Sequence, residues 1–348
     1  MSNNVLMQIE IPDAPAIPGL VFRHFRGETD YPAMVDVTNE VCRADGVDWV
    51  ETIEKIANQY QHLDNCDPYR DVLMVEVEGQ LVGYGRCWWL EDLEGTRLYF
   101  HFANLLPAWR GRGIRQAMLT YNERHLQTLA QTQVASGQHS PEMSRVFFCW
   151  ANETETDWKA LLAAAGYAPA RYFADMVRPT LNNIPHYPLP SHIEIRRGML
   201  AEWRQIWEAA AEAFRDHWGE VEWSEEDFLK EGGDPTFNPD LWQIAWDGDE
   251  VAGGILNFID VTENEKHGRQ RGYTETVFVR QPWRGQGIAK VLFSGSFQVL
   301  QAAGMTEAAL GVDADSPTGA FHLYESMGFK AVKQSAIYRK PLEVEDGS

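Results

Sequence analysis

The sequence predicts the α/β (α+β) class, with two similar domains in tandem, and three observations carry that reading. The chain has 348 residues, 44% of them hydrophobic, enough for two cores in domains of about 150–170 residues each. A stretch from Pro179 to Pro190 holds prolines at 179, 185, 188 and 190, so it continues neither a helix nor a central strand. On its two sides the same signals recur in the same order. A period this long marks a duplicated domain and not a solenoid. The expected boundaries are 1–180 and 191–348, joined by a proline-rich linker at 181–190.

In each half the elements follow one another alike. Val21-Phe-Arg-His-Phe and Ile193-Glu-Ile-Arg-Arg read as opening strands. Helical patterns follow from about Asp30, and from Leu200 to Phe214. Met74 to Gly85 and Ile244 to Gly254 each carry an acidic-Gly pair between apolar runs, a hairpin signal. A further strand leads to a glycine-rich turn, Trp109-Arg-Gly-Arg-Gly-Ile or Trp283-Arg-Gly-Gln-Gly-Ile, and then a helix. A last strand and helix end at Gly166-Tyr167 and at Gly328-Phe329. Gln131 to Ser144 is polar and reads as a mobile surface loop.

Composition narrows the function. With 30 Lys+Arg against 51 Asp+Glu, the net charge is −21. Such a field repels a phosphate backbone, so nucleic acid is not an expected partner, whereas a cationic amine is attracted. No apolar run is long enough to span a bilayer, so no membrane partner is expected. Met1 to Leu20 lacks the basic start and apolar stretch of a secretory signal, so the cytoplasm is the expected compartment. Cys42, Cys66, Cys87 and Cys149 form no C-x-x-C pair and sit in no histidine cluster, so reduced thiols and no metal are expected.

The strongest motif is Tyr273-Thr-Glu-Thr-Val-Phe-Val-Arg-Gln-Pro-Trp-Arg284-Gly-Gln-Gly-Ile-Ala289, a strand, a sharp turn and a helix. Gly285 and Gly287 permit backbone angles other residues avoid. The turn therefore presents unpaired N–H groups at a helix N-terminus, a ready site for a pyrophosphate, and Arg284 adds positive charge at its entrance. No Lys-Ser or Lys-Thr follows, so it is not a Walker loop. A third glycine is missing, so the dinucleotide fingerprint fails as well. A second motif runs from Leu310 to Phe329: a strand, a helix capped by Asp315 or Ser316 with Pro317 in its first turn, and a stop at Gly328.

Arg-x-x-Gly-x-Ala after Val-x-Val, with Leu-Tyr-x-x-x-Gly-Phe downstream, resembles the GNAT acetyltransferase superfamily. The tandem layout is similar to mycothiol synthase and its relatives. The resemblance implies two tandem GNAT domains, each a mostly antiparallel twisted sheet flanked by helices. It also implies acetyl-CoA as co-substrate, a small-molecule amine acceptor and direct acyl transfer without a metal. The cofactor would lie along Val277, Phe278 and Val279, on the turn Arg284, Gly285, Gln286, Gly287, Ile288 and Ala289, and near Ser316. Tyr324 occupies the place of the superfamily's general acid, which protonates the departing thiolate. Ala213-Phe-Arg-Asp-His-Trp-Gly219 resembles the region that walls the acceptor pocket.

The base is read from the residues themselves. An attacking amine must shed a proton, and Glu275 lies on the strand leading to the turn. Strand alternation puts it on one face with Val277 and Val279. Asp216, His217 and a chain of water molecules are the other readings. The first half departs at the matching positions: Arg115 stands where Ala289 is, Leu162 where Tyr324 is, and His101 where Glu275 is. An aliphatic side chain donates no proton, so the N-terminal domain is expected to be catalytically silent. Two rival functions stay open. An aminoacyl-tRNA-dependent transferase of this fold would need basic surface, and a non-catalytic acyl-CoA-binding protein would retain the cofactor without turnover.

Overall fold

A computed structural model describes residues 8–316 and 319–344. Pro317, expected in a helical first turn, lies outside the described residues, as do the first seven residues of the stretch read for a leader. The chain divides into two compact units, Met1–Ala170 with Ala336–Ser348, and Arg171–Ser335.

The first half of the chain contains β1 (Gln8–Ile9), β2 (Leu20–His24), α1 (Tyr31–Asp45), α2 (Ile53–Gln61), α3 (Pro68–Asp71), β3 (Val72–Val77), β4 (Gln80–Glu91), β5 (Arg97–Leu105), α4 (Ile114–Ala135), β6 (Arg145–Asn152), α5 (Thr156–Ala164) and β7 (Ala168–Arg178). The second half contains β8 (Ile193–Arg196), α6 (Trp203–Phe214), α7 (Glu225–Gly232), β9 (Gln243–Asp247), β10 (Glu250–Phe258), α8 (Val261–His267), β11 (Arg271–Val279), α9 (Ile288–Ala302), β12 (Glu307–Asp313), α10 (Ala320–Ser326) and β13 (Lys330–Pro341).

In unit 1 the strands run β1-β2-β3-β4-β5-β6, antiparallel except for the parallel pair β5–β6. In unit 2 the order is β8-β9-β10-β11-β12-β7, antiparallel except for β11–β12. The units depart from the linear boundaries the prolines suggest. From Arg171 onward β7 belongs to unit 2, where Phe173–Arg178 pairs with Ala308–Asp313, and from Ala336 onward β13 belongs to unit 1. Each half gives away its final strand. The proline-rich stretch is irregular, as expected, yet Leu181 is buried in the unit 2 core with Ile184 and Tyr187 packed beside it.

Period-two alternation builds two cores per unit. Leu73, Val75 and Val77 face a core shared with α4 and α5, while Val72 and Met74 face α1 and α2. In unit 2, Ala245 faces α9 and α10, whereas Ile244 and Trp246 join α6 in an aromatic core containing Trp203 and Trp242. Hairpin turns fall where expected; Glu78 and Gly79 both take positive φ, 51° and 77°.

Two expectations are corrected. The polar stretch after Gln131 is helical to Ala135, because Gln133 is buried and accepts hydrogen bonds from Tyr99 Oη (2.6 Å) and Arg97 Nη1 (3.2 Å). Helix α10 starts at Ala320 behind Gly319 in a left-handed conformation, so neither Asp315 nor Ser316 caps it. The Ser316 N–H instead turns back to the Asp313 carbonyl at 3.3 Å.

Leu162 on α5 is fully buried in the first core. Leu162→Ala is expected to cost about 2–5 kcal/mol in chemical denaturation and to leave turnover per folded molecule unchanged. An unmoved midpoint would remove Leu162 from the core.

Candidate active site

The parallel pair β11–β12 is hydrogen-bonded only between Arg271–Tyr273 and Glu307–Ala309. Beyond that register the two strands part. On its other edge β11 carries a bulge: Phe278 pairs with Gly254 and Glu275 with Leu256, which leaves Thr276 and Val277 opposite Ile255 alone. Thr276 sits at φ 46°, a left-handed angle that costs a β-branched residue on the order of 1–2 kcal/mol. The backbone at 276–277 is thus released from the ladder on both sides and faces the opening. The bulge interrupts the expected alternation, and it had no signal in the sequence.

Glu275 stands at the point of parting. Its Oε1 accepts the Gly311 N–H across the gap at 2.9 Å. Burial pushes its carboxyl up to about 7, with the Asp175 carboxylate adding to the rise and the Gly311 N–H opposing it. A Cβ at Gly311 would lie 3.9 Å from Glu275 Oε1, an ordinary contact.

Tyr324 reaches the same cleft from α10. It is 8% exposed and its ring packs edge-on against Phe293 at 5.5 Å. Burial, and then the nearby Glu275 carboxylate, raise its phenol above the ordinary value, so it holds its proton at any working pH. Gly328 at φ 90° ends the helix, and the Phe329 N–H returns to the Tyr324 carbonyl at 3.0 Å.

At the far end of β11 comes the turn. Gly285 and Gly287 have φ 76° and 81° with open space around both, so conformation and not crowding demands glycine. The N–H groups of residues 285–289 find no acceptor among the described residues, and α9 begins directly behind them. Val277 and Val279 pack toward the core that holds Ile288 and Tyr324. Phe278 points the other way, into the aromatic core, so it offers the cleft only its backbone. Gln286 donates to the Pro282 carbonyl at 3.3 Å.

Arg284 behaves differently from expectation. Its guanidinium pairs with Asp216 and donates to the carbonyls of Val279 and Ala213, each at 2.9 Å. It braces the turn against the end of α6 instead of standing open at the entrance. Arg110 of unit 1 does the same, gripping Asp45 at 2.6 and 2.7 Å and the Leu105 carbonyl at 3.3 Å. The partnership holds the Asp216 carboxyl below its usual range, which makes it a poor base. Burial lowers His217. Nearby, Arg171 from β7 binds Asp313 at 2.7 Å and lies 5.3 Å from the Trp218 ring.

The matching place in unit 1 is occupied by other chemistry. His101 Nε2 lies 2.7 Å from Tyr167 Oη and 3.0 Å from Cys149 Sγ. Burial depresses the imidazole to about 3 and raises the Cys149 thiol, so both stay neutral. Cys42, Cys66, Cys87 and Cys149 form no disulfide, and no group of side chains suited to a metal occurs among the described residues. Among those residues, no helix is long and apolar enough to cross a membrane.

Comparison with known proteins agrees with this geometry. The profile of the Acetyltransferase (GNAT) family matches residues 36–139 and 203–329. Mycothiol acetyltransferase of Salinispora tropica is 30% identical over 314 residues, 84% of this chain and 94% of that protein. The enzyme of the same name from Geodermatophilus obscurus is 28% identical over 75% of this chain and 79% of its own length. Among solved structures, a GCN5-related N-acetyltransferase from Sphaerobacter thermophilus superposes with TM-score 0.68 at 24% identity, covering 97% of this chain and 98% of that one. A tandem GNAT protein from the clavulanic acid biosynthesis pathway gives TM-score 0.66 at 12% identity, covering 94% and 100%. Two family matches, one in each half, and relatives that span most of the chain identify it as a tandem member of the GNAT family, an N-acetyltransferase.

Proposed function

We propose that the chain transfers the acetyl group of acetyl-CoA to the amine of a small molecule, and that unit 2 carries out the reaction. The observation that carries the proposal is the convergence of a proton acceptor, Glu275, and a proton donor, Tyr324, on one opened strand pair that leads to a free-amide turn. Acetyl-CoA supplies an activated acyl group as a thioester. The turn amides of residues 285–289 hold its pyrophosphate, Val277 and Val279 line its course, and the released backbone at 276–277 polarises the acyl carbonyl. Glu275 takes the proton of the attacking amine, and Tyr324 gives its proton to the departing sulfur. Relatives named mycothiol acetyltransferase point to a small acceptor. The −21 charge favours a cationic one.

Gly287→Glu is expected to abolish acetyl-CoA binding in calorimetry, because it forces a left-handed angle on a side chain and puts a carboxylate among the phosphate-facing amides. Unchanged affinity would remove the turn from the site.

Tyr324→Phe keeps the ring and its packing. The expected loss in kcat is about 10²–10⁴-fold, the span for one positioned acid, with acetyl-CoA affinity nearly unchanged. Wild-type kcat with an unaltered alkaline limb would leave Tyr324 as packing alone.

The third test uses pH. A base must be ionised to act, so kcat/KM should fall below about pH 7, where Glu275 takes its proton. The same shift enters stability. The folded carboxyl binds its proton more tightly than the unfolded one, so its favourable contribution is present below the unfolded value of 4.5 and is lost as pH rises through about 7. Glu275→Gln should therefore lose activity, gain stability above pH 7 relative to wild type, and flatten the stability profile between those limits. A parallel profile would mean that Glu275 titrates normally.

A further inference from the structure

Unit 1 keeps the backbone of a cofactor turn and lacks the space behind it. Gly111 and Gly113 have φ 70° and 84°, close to their unit 2 counterparts, and α4 begins directly after them. Judged by the turn alone, unit 1 should take a second cofactor.

Four features close the way. First, Arg115 replaces Ala289 in the opening turn of the helix. Its Nε donates to the Ala103 carbonyl at 2.8 Å, and Ala103 is the counterpart of Val277. Its Nη1 reaches Asp157 of α5 at 3.0 Å, with Glu155 at 3.5 Å and the Trp158 ring 4.4 Å from the guanidinium. At 6% exposure this side chain is a buried crossbar from β5 to α5, over the line that unit 2 leaves open between β11 and α10. Second, β5 has no bulge; its register with β4 is regular from Gly83–Leu105 to Glu91–Arg97. The backbone at Ala103 therefore stays in the ladder. Third, Cys149 and Tyr167 close on His101, at the place where unit 2 has Gly311 beside Glu275. Fourth, Pro15 stands beside the turn, whose residues Gly111, Arg112 and Gly113 are themselves exposed. A Cβ on Gly113 would meet Pro15 at 3.5 Å, while one on Gly287 would meet nothing within 4 Å. Ile11 is buried in the unit 1 core together with Ile114, and Ala14 and Ile17 pack against it.

We propose that unit 1 is a cofactor cleft sealed by its own chain, with Arg115 as the bar across it, so that the protein takes up one acyl-CoA per chain. This rests on the reading of unit 2 as the acetyl-CoA site. The Arg115 guanidinium is itself buried, although its partners Glu155 and Asp157 are 12% and 39% exposed, so swinging it aside breaks its bond to the Ala103 carbonyl as well as its ion pairs. Ligand binding does not supply that opening cheaply.

Titration of the full chain with acetyl-CoA tests this, with folding of each variant checked by its thermal midpoint. The expected stoichiometry is one for wild type, zero for Gly287→Glu and one for Gly113→Glu, with kcat unchanged in the last. Should Gly113→Glu fail to fold, Arg112→Glu places a carboxylate beside the same amides from an exposed position and is expected to keep one site. A wild-type stoichiometry of two would overturn the sealing. So would a site that survives Gly287→Glu and disappears with the unit 1 variant. No binding to wild type would instead overturn acetyl-CoA as the cofactor of unit 2, while agreeing with a closed unit 1.

Discussion

A sheet that admits a ligand between two of its strands must give up the hydrogen bonds that join them, and most of this molecule is arranged around that loss. The β11–β12 pair keeps its ladder only at one end. Where the ladder stops, the Glu275 carboxylate takes the Gly311 N–H in place of a backbone carbonyl. On the function proposed above, the acceptor that repairs the sheet would also take the proton of the attacking amine. Its poise near neutrality follows from burial and from the carboxylate at Asp175. A carboxyl at its ordinary value would be too weak a base, and one buried without the Gly311 N–H would hold its proton still more tightly.

The duplicated unit shows what happens when the same opening carries other side chains. His101 and Cys149 meet across β5 and β6, the counterparts of the strands that Glu275 and Gly311 bridge, but as neutral groups in a buried core. Both turns keep their glycines and their bracing arginines, each matched to an acid at the end of the preceding helix pattern. The brace is thus a property of the fold, common to both units. The chemistry lies in what stands behind the turn.

Much of this was readable in advance. The order of elements and both glycine turns follow from spacing and from a small set of residue types with strong local preferences, whereas Tyr324, and Leu162 counted against it, were picked out by the family resemblance. Three things were not. The bulge at Thr276 runs against the preference of a β-branched residue, and so only tertiary structure dictates it. Arg284 reads as free charge because its partner Asp216 lies 68 positions earlier. The destination of β7 and β13 depends on which sheet offers an edge, and an alternating strand pattern says nothing about its neighbour.

That strand assignment has a consequence for synthesis. Unit 1 starts to leave the ribosome before unit 2, yet it includes Ala336–Pro341, which are made only after the whole of unit 2. Until those residues emerge, the larger part of unit 1 exists with one sheet edge unfilled, while unit 2 receives its own β7 before any of its other strands exist. Pairing of such long sequence separation is slow to form, and an open edge invites foreign strands. A gene cut at the proline-rich stretch would yield two fragments that each carry the other's closing strand.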